Sequence, residues 1–270
     1  MNPTRRLLAV LAAVLGLAAT ALAGAAGAKP SSESASPLTI FAAVSLTDVF
    51  PAIDAKQIYN FGGSNALAFQ IRNGAPADVF ASANTEIPAQ LFKDGLVLQP
   101  VNFTRNKLVV VVPNENPAGI TNVYDLTKPG VKVDIAAPSV PVGAYTLQVL
   151  KQMGLTARVL TNVVSQDEDV RSVLTRVALG QADAGFVYAT DARTVPEDVK
   201  VIKVPAWAQP KVVYAMAVVT KSPNRATAQA YVKKILSKSG QATLAKFGFL
   251  ALPTPTAGKP ALRYQLTVSR

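Results

Sequence analysis

From Leu38 onward the chain alternates between short, almost wholly apolar runs and longer stretches whose apolar residues recur every three or four positions. The first pattern reads as buried strand, the second as amphipathic helix. Strands are predicted over 38–43, 58–61, 79–83, 107–112, 131–136, 184–188 and 212–220. Helices are predicted over 85–92, around 144–153 and 168–179, and over 225–236 and 239–247. A shorter helix over 65–72 should stop at Gly74. Such alternation predicts an α/β fold with mainly parallel sheets.

Two long strands, 107–112 and 212–220, flank a complete alternating set of their own. This predicts two α/β domains joined by a two-strand hinge. Residues 38–108 and 213–252 would build one lobe, residues 109–212 the other, and 253–270 a tail. No repeat of fixed period is evident.

The pattern breaks down before residue 38. Arg5-Arg6 precede an uncharged, Ala- and Leu-rich stretch that ends in small residues at 21–23 and 26–28. Residues 1–28 therefore read as a cleaved signal peptide and 29–37 as a Ser- and Pro-rich linker. The apolar run is also long enough for an uncleaved anchor. Thr4-Arg5-Arg6 matches a twin-arginine signal only in part. The expected location is the periplasm or the medium.

Composition then narrows the chemistry. Of 270 residues, 50% are hydrophobic and 16% charged, which argues for a packed core. Cysteine is absent, so an exported chain has no disulfide and no cysteine-linked lipid anchor. Histidine is absent too, which removes Ser-His-Asp catalysis, His-ligated zinc and haem, and most proton shuttles. The formal net charge is +11, falling to +9 once Arg5 and Arg6 leave with the leader. Lys and Arg are spread without a dense run or interleaved aromatics, so nucleic acid is not an expected partner. A small anion would be steered by such a field.

Four predicted helix starts carry hydroxyls or free backbone N–H groups. Ser45-Leu46-Thr47-Asp48 reads as a capping box, and Gly62-Gly63-Ser64 as a glycine turn with a serine N-cap. Pro141-Val142-Gly143 opens the third helix. At the fourth, the apolar face Val170, Val173, Leu174 and Val177 favours Asp167 over Ser165 as N-cap, leaving the N–H of Val170 at N3 free. Tyr188 ends a strand, where ligands of open α/β sheets bind. Each feature alone also serves as an ordinary cap or a buried aromatic edge. Together they form a neutral donor set suited to an ionised oxyanion, which carries no proton and needs donors only. A hydrolase using Ser45 or Ser64 with a lysine base is the competing reading; Gly62-Gly63-Ser64-Asn65-Ala66 lacks the last glycine of a nucleophile elbow.

Seven segments in order carry a resemblance. They are Ala42-Ala43-Val44-Ser45-Leu46, Gly63-Ser64, Gly74-Ala75-Pro76-Ala77-Asp78-Val79-Phe80, Asn106-Lys107-Leu108-Val109, Pro141-Val142-Gly143-Ala144-Tyr145, Asp169-Val170-Arg171 and Ala182-Asp183-Ala184-Gly185-Phe186-Val187-Tyr188. The chain resembles, from about 38 to 250, the periplasmic molybdate-binding proteins of ABC importers. The resemblance implies a two-lobed type II periplasmic-binding-protein fold with the ligand cleft between the lobes. It also implies a monomer without enzymatic activity or cofactor, which captures molybdate or tungstate and delivers it to an ABC permease. Ser45 and Ser64 would bind from the first lobe; Val142 and Val170 would donate backbone N–H groups, and Tyr188 its phenol, from the second. Molybdenum would be held as the oxyanion, without direct cation ligands. A same-fold receptor for sulfate or phosphate is the alternative. The segment from Ser45 to Gly62 is shorter than usual for the family, and Pro51 is expected to kink or end the first helix. On this reading Ser64→Ala should weaken binding and leave folding nearly intact.

Overall fold

The computed structural model describes residues 36–253; the predicted leader and nearly all of the linker and tail lie outside them. Ten strands form two five-stranded sheets. The first contains β1 (Thr39–Ala43), β2 (Ile58–Gly62), β3 (Val79–Ser82), β4 (Val101–Asn106) and β10 (Val212–Val218) in the order β2-β1-β3-β10-β4. The second contains β5 (Leu108–Pro113), β6 (Val133–Ala136), β7 (Val163–Asp167), β8 (Ala184–Tyr188) and β9 (Val199–Lys203) in the order β7-β6-β8-β5-β9. The helices are α1 (Val49–Ile53), α2 (Ser64–Arg72), α3 (Glu86–Lys93), α4 (Pro141–Gln152), α5 (Thr156–Leu160), α6 (Val170–Ala178), α7 (Ala189–Ala192), α8 (Arg225–Leu236) and α9 (Lys238–Lys246).

Both sheets are mixed rather than mainly parallel. In the first, β1 pairs parallel with β2 and β3, whereas β10 pairs antiparallel with β3 and β4. The second repeats the scheme: β6 is parallel to β7 and β8, and β5 is antiparallel to β8 and β9. The chain leaves the first sheet along β4 and returns beside it along β10, so the two must run in opposite directions. The same holds for β5 and β9.

The two long strands expected to form the hinge therefore belong to different sheets. The chain crosses at Lys107, between β4 and β5, and again over 204–211, between β9 and β10. Leu108 already lies in the second sheet and Val212 in the first. Gln209 ties the crossings together: its Oε1 accepts from Leu108 N at 3.1 Å and its Nε2 donates to Leu108 O at 2.6 Å.

Central strands are apolar on both faces because helices cover both. On β1, Phe41 packs with Leu67 and Ile71 of α2 and Leu91 of α3, while Ile40 and Ala42 join the core on the other face. In the second sheet α6 buries Val170, Val173, Leu174 and Val177. Helix α2 ends where predicted. Gly74 takes φ +83°, Ala75 N donates to Gln70 O and Gly74 N to Ile71 O, the Schellman pattern that glycine at C′ permits. α1 runs through Pro51 and ends two residues later, at Ile53. Pro51 occupies the third position of a five-residue helix, where its missing N–H would have had no intrahelical acceptor.

Beneath α6, Asp134 of β6 is fully buried beside Asp167 of β7. Arg176 reaches both Asp167 oxygens at 3.0 Å and Asp134 only at 3.7 Å. Burial, and then the neighbouring Asp167, push the Asp134 carboxyl well above the usual carboxylate range. Burial likewise raises Asp191 to about 6, against the lowering pull of Arg171. Both groups bind a proton more readily folded than unfolded, so their contribution to stability falls as pH rises from about 4 through the folded values. The ligand-free protein should melt at a higher temperature near about pH 5 than near about pH 8, and Asp134→Asn should flatten that slope. A melting temperature that climbs between those pH values would contradict this assignment.

Candidate functional site

Parallel strands deliver their C-terminal ends to one place. β1, β2 and β3 of the first sheet run out into Ser45, Ser64 and Ala83. β6 and β7 lead into the starts of α4 and α6, and β8 ends at Tyr188. These ends meet across the gap between the sheets at a small cavity. All five residues singled out in the sequence line it: Ser45, Ser64, Val142, Val170 and Tyr188.

Their local roles differ from simple capping. Ser45 lies inside a 3-10 turn, Val44–Leu46, and its hydroxyl pairs with the Tyr214 hydroxyl at 2.9 Å instead of capping a helix. Asp48 makes no capping bond either; it bonds Arg171. The N-cap of α2 is Gly63, and Ser64 is the first helical residue. Its Oγ accepts from the backbone N–H of Ala83 at 3.1 Å. That bond takes up an acceptor site of the hydroxyl and leaves the proton of Ser64 available to the cavity.

Val142 is the second residue of α4 and Val170 the first of α6, so neither N–H has an acceptor within its helix. The N-cap of α6 is Asp169, not Asp167. The Asp169 carboxylate accepts from Arg171 N at 2.7 Å and Ser172 N at 3.0 Å, while Asp167 ends β7 and pairs with Arg176. Hydrophobic spacing cannot separate these two aspartates; the ladder between β6 and β7, which runs to Asp167, does. Tyr188 is 1% exposed, and its hydroxyl has no hydrogen-bond partner among the described residues. Burial drives its ionisation well above the ordinary phenol value, so it stays a neutral donor. A buried hydroxyl without a partner costs free energy, which a ligand in the cavity would recover.

No cation lines this cavity among the described residues. The nearby Arg171 is held by two carboxylates, Asp191 and Asp48, at 2.6 Å each. Asp48 and Arg171 belong to different lobes, so this ion pair spans the cleft beside the cavity. Gly63 marks another close approach between the lobes. A Cβ built on it would lie 2.5 Å from the carbonyl oxygen of Glu168, inside any allowed contact.

Two participants went unassigned in the sequence. Tyr214 of β10 looked like core within an apolar strand, and only the pairing of β10 beside β3 brings it behind Ser45. Asn106 stood in one of the seven segments without a role; it is buried next to Tyr214.

The chain is similar to known proteins over most of its length. The family model for bacterial extracellular solute-binding proteins matches residues 39–250. A Mycobacterium tuberculosis protein named molybdate-binding protein ModA is 36% identical over 229 residues, which cover 80% of this chain and 85% of that one. The periplasmic molybdate-binding protein of Azotobacter vinelandii superimposes with a TM-score of 0.71 at 22% identity, covering 80% of this chain and all of that structure. The sulfate-binding protein SubI of M. tuberculosis superimposes with a TM-score of 0.72 at 20% identity, covering 80% and 87%. At such identities the two structures bear on the fold alone: two lobes in the type II periplasmic-binding-protein arrangement. With the match extending over nearly every described residue, the chain belongs to the bacterial extracellular solute-binding proteins.

Proposed function

We propose that this protein captures molybdate or tungstate between its two lobes and delivers it to an ABC permease, without catalysing a reaction. The observation that carries the reading is the cavity's composition. Two serine hydroxyls, two helix-start N–H groups and a buried, unpartnered tyrosine hydroxyl converge there. Neutral donors and helix N-termini stabilise a fully ionised oxyanion without a buried countercharge to desolvate. The Asp169 carboxylate, the charged group on the wall, is occupied by its own helix. A protonated anion such as hydrogen phosphate would have to compete with the start of α6 for that carboxylate. The names of relatives such as the M. tuberculosis protein point the same way.

A hydrolase is disfavoured, because among the described residues no lysine lines the cavity to serve as base, and the chain has no histidine. The protein acts as a monomer outside the cytoplasm, needs no cofactor and binds no nucleic acid. Calorimetry with molybdate, tungstate, sulfate and phosphate tests the proposal. Micromolar or tighter binding of the first two, with the others silent, is the expected result. Binding of sulfate alone would reassign the ligand, and indifference to all four would overturn the reading.

A further inference from the structure

We infer that Tyr214, set by Asn106, is a positioning residue that forces Ser45 to present its proton to the bound anion. The inference rests on reading the cavity as an anion site.

The argument is one of hydrogen-bond satisfaction. Asn106 Oδ1 accepts from the backbone N–H of Lys107 at 2.9 Å, which fixes the amide so that Nδ2 faces the opposite way. Nδ2 then donates to Thr190 Oγ1 at 2.8 Å and to the Tyr214 hydroxyl at 3.4 Å. The Tyr214 oxygen is therefore an acceptor towards Asn106. Tyr214 is fully buried, and its other hydroxyl partner is Ser45 Oγ at 2.9 Å. If Ser45 donated to Tyr214, the phenolic proton would face only the donors of Asn106 and be left unsatisfied in the interior. The arrangement that satisfies every proton runs Asn106 to Tyr214 to Ser45. Ser45 accepts from Tyr214, which frees its own proton for an anion in the cavity that it lines.

Ser64 reaches the same state by a different route, its oxygen being taken by the Ala83 N–H. Both serines are thus committed as donors before the anion arrives. A hydroxyl free to rotate can donate or accept; one fixed by its surroundings favours an anion without a proton. The ring of Tyr214 packs on Tyr188 with centroids 5.7 Å apart, so the residue that orients Ser45 also braces the second-lobe phenol.

The test is a set of double-mutant cycles read by molybdate calorimetry. Tyr214→Phe keeps the ring and removes the hydroxyl; it should weaken binding about tenfold in the wild-type background. The loss should recur on a Ser64→Ala background and vanish on a Ser45→Ala background, because the hydroxyl acts through Ser45 alone. A merely structural role would give equal losses on both, and that result, or no loss in the wild-type background, overturns the relay while leaving the anion reading intact. Absence of molybdate binding by the wild type would overturn both. Should Tyr214→Phe fail to fold, Asn106→Ala replaces it in the same cycles, with its loss likewise confined to backgrounds that keep Ser45.

Discussion

Gly63→Ala is expected to weaken molybdate binding about ten- to a hundredfold while the ligand-free protein stays as stable as the wild type, or slightly more so. Gly63 has φ −60° and ψ 132°, backbone values open to any residue, and within its own lobe the added methyl meets the Asn65 side-chain oxygen at 2.9 Å, which can swing aside. What alanine adds is a methyl group 2.5 Å from the Glu168 carbonyl oxygen of the opposite lobe. Backbone cannot swing aside as a side chain can. The lobes must stay apart by roughly a further ångström, the difference between this distance and an ordinary carbon–oxygen contact. Val142, Val170 and Tyr188 are then held back from an anion seated on Ser45 and Ser64. Calorimetry and thermal melting of the ligand-free variant, taken together, check the claim. Wild-type affinity in Gly63→Ala would mean that binding does not need this approach of the lobes.

Ser64→Ala should affect both binding and stability. Losing a hydroxyl donor to a charged ligand costs about 1.5–3 kcal/mol, roughly ten- to a hundredfold in affinity. The structure adds a second loss that the sequence reading did not include. Ser64 Oγ is the acceptor for the N–H of Ala83, a residue only 4% exposed. Removing it leaves a buried donor unpaired, at about 1–3 kcal/mol of stability. For a domain of this size each kcal/mol lowers the melting temperature by roughly 2–4 °C. Folding is therefore not left nearly intact, as a simple capping serine would have allowed. Weakened binding with an unchanged melting temperature would refute the Ala83 contact. Ser45→Ala removes the acceptor of the buried Tyr214 hydroxyl and should likewise lose both affinity and stability. Wild-type binding by both serine variants would show that the anion sits elsewhere.

Much of this molecule is legible in the chain. Helix α8 and strand β8 fall on their predicted residues, and the end of α2 at Gly74 follows from its turn chemistry. These elements have strong periodicity and local stop signals, which neighbours do not override. The strands β4, β7 and β9 escaped notice because polar residues such as Asn102, Arg105, Ser165, Gln166 and Lys200 interrupt their apolar pattern. β7 and β9 close the edges of the second sheet and β4 one edge of the first, where one side of a strand meets solvent or loops and hydrophobicity need not persist.

For the site, sequence alone picked out five positions that line one cavity and removed histidine chemistry. Those follow from residue type and from which helix starts leave N–H groups free, both local properties. The tertiary structure decided what each donor does. It made Gly63 rather than Ser64 the cap, chose Asp169 over Asp167, held Arg171 between two carboxylates, and set Tyr214 behind Ser45. Each of these depends on which strands pair and how the chain crosses between sheets. Ser45 and Tyr214 are 169 residues apart, and no local pattern records a contact over that distance.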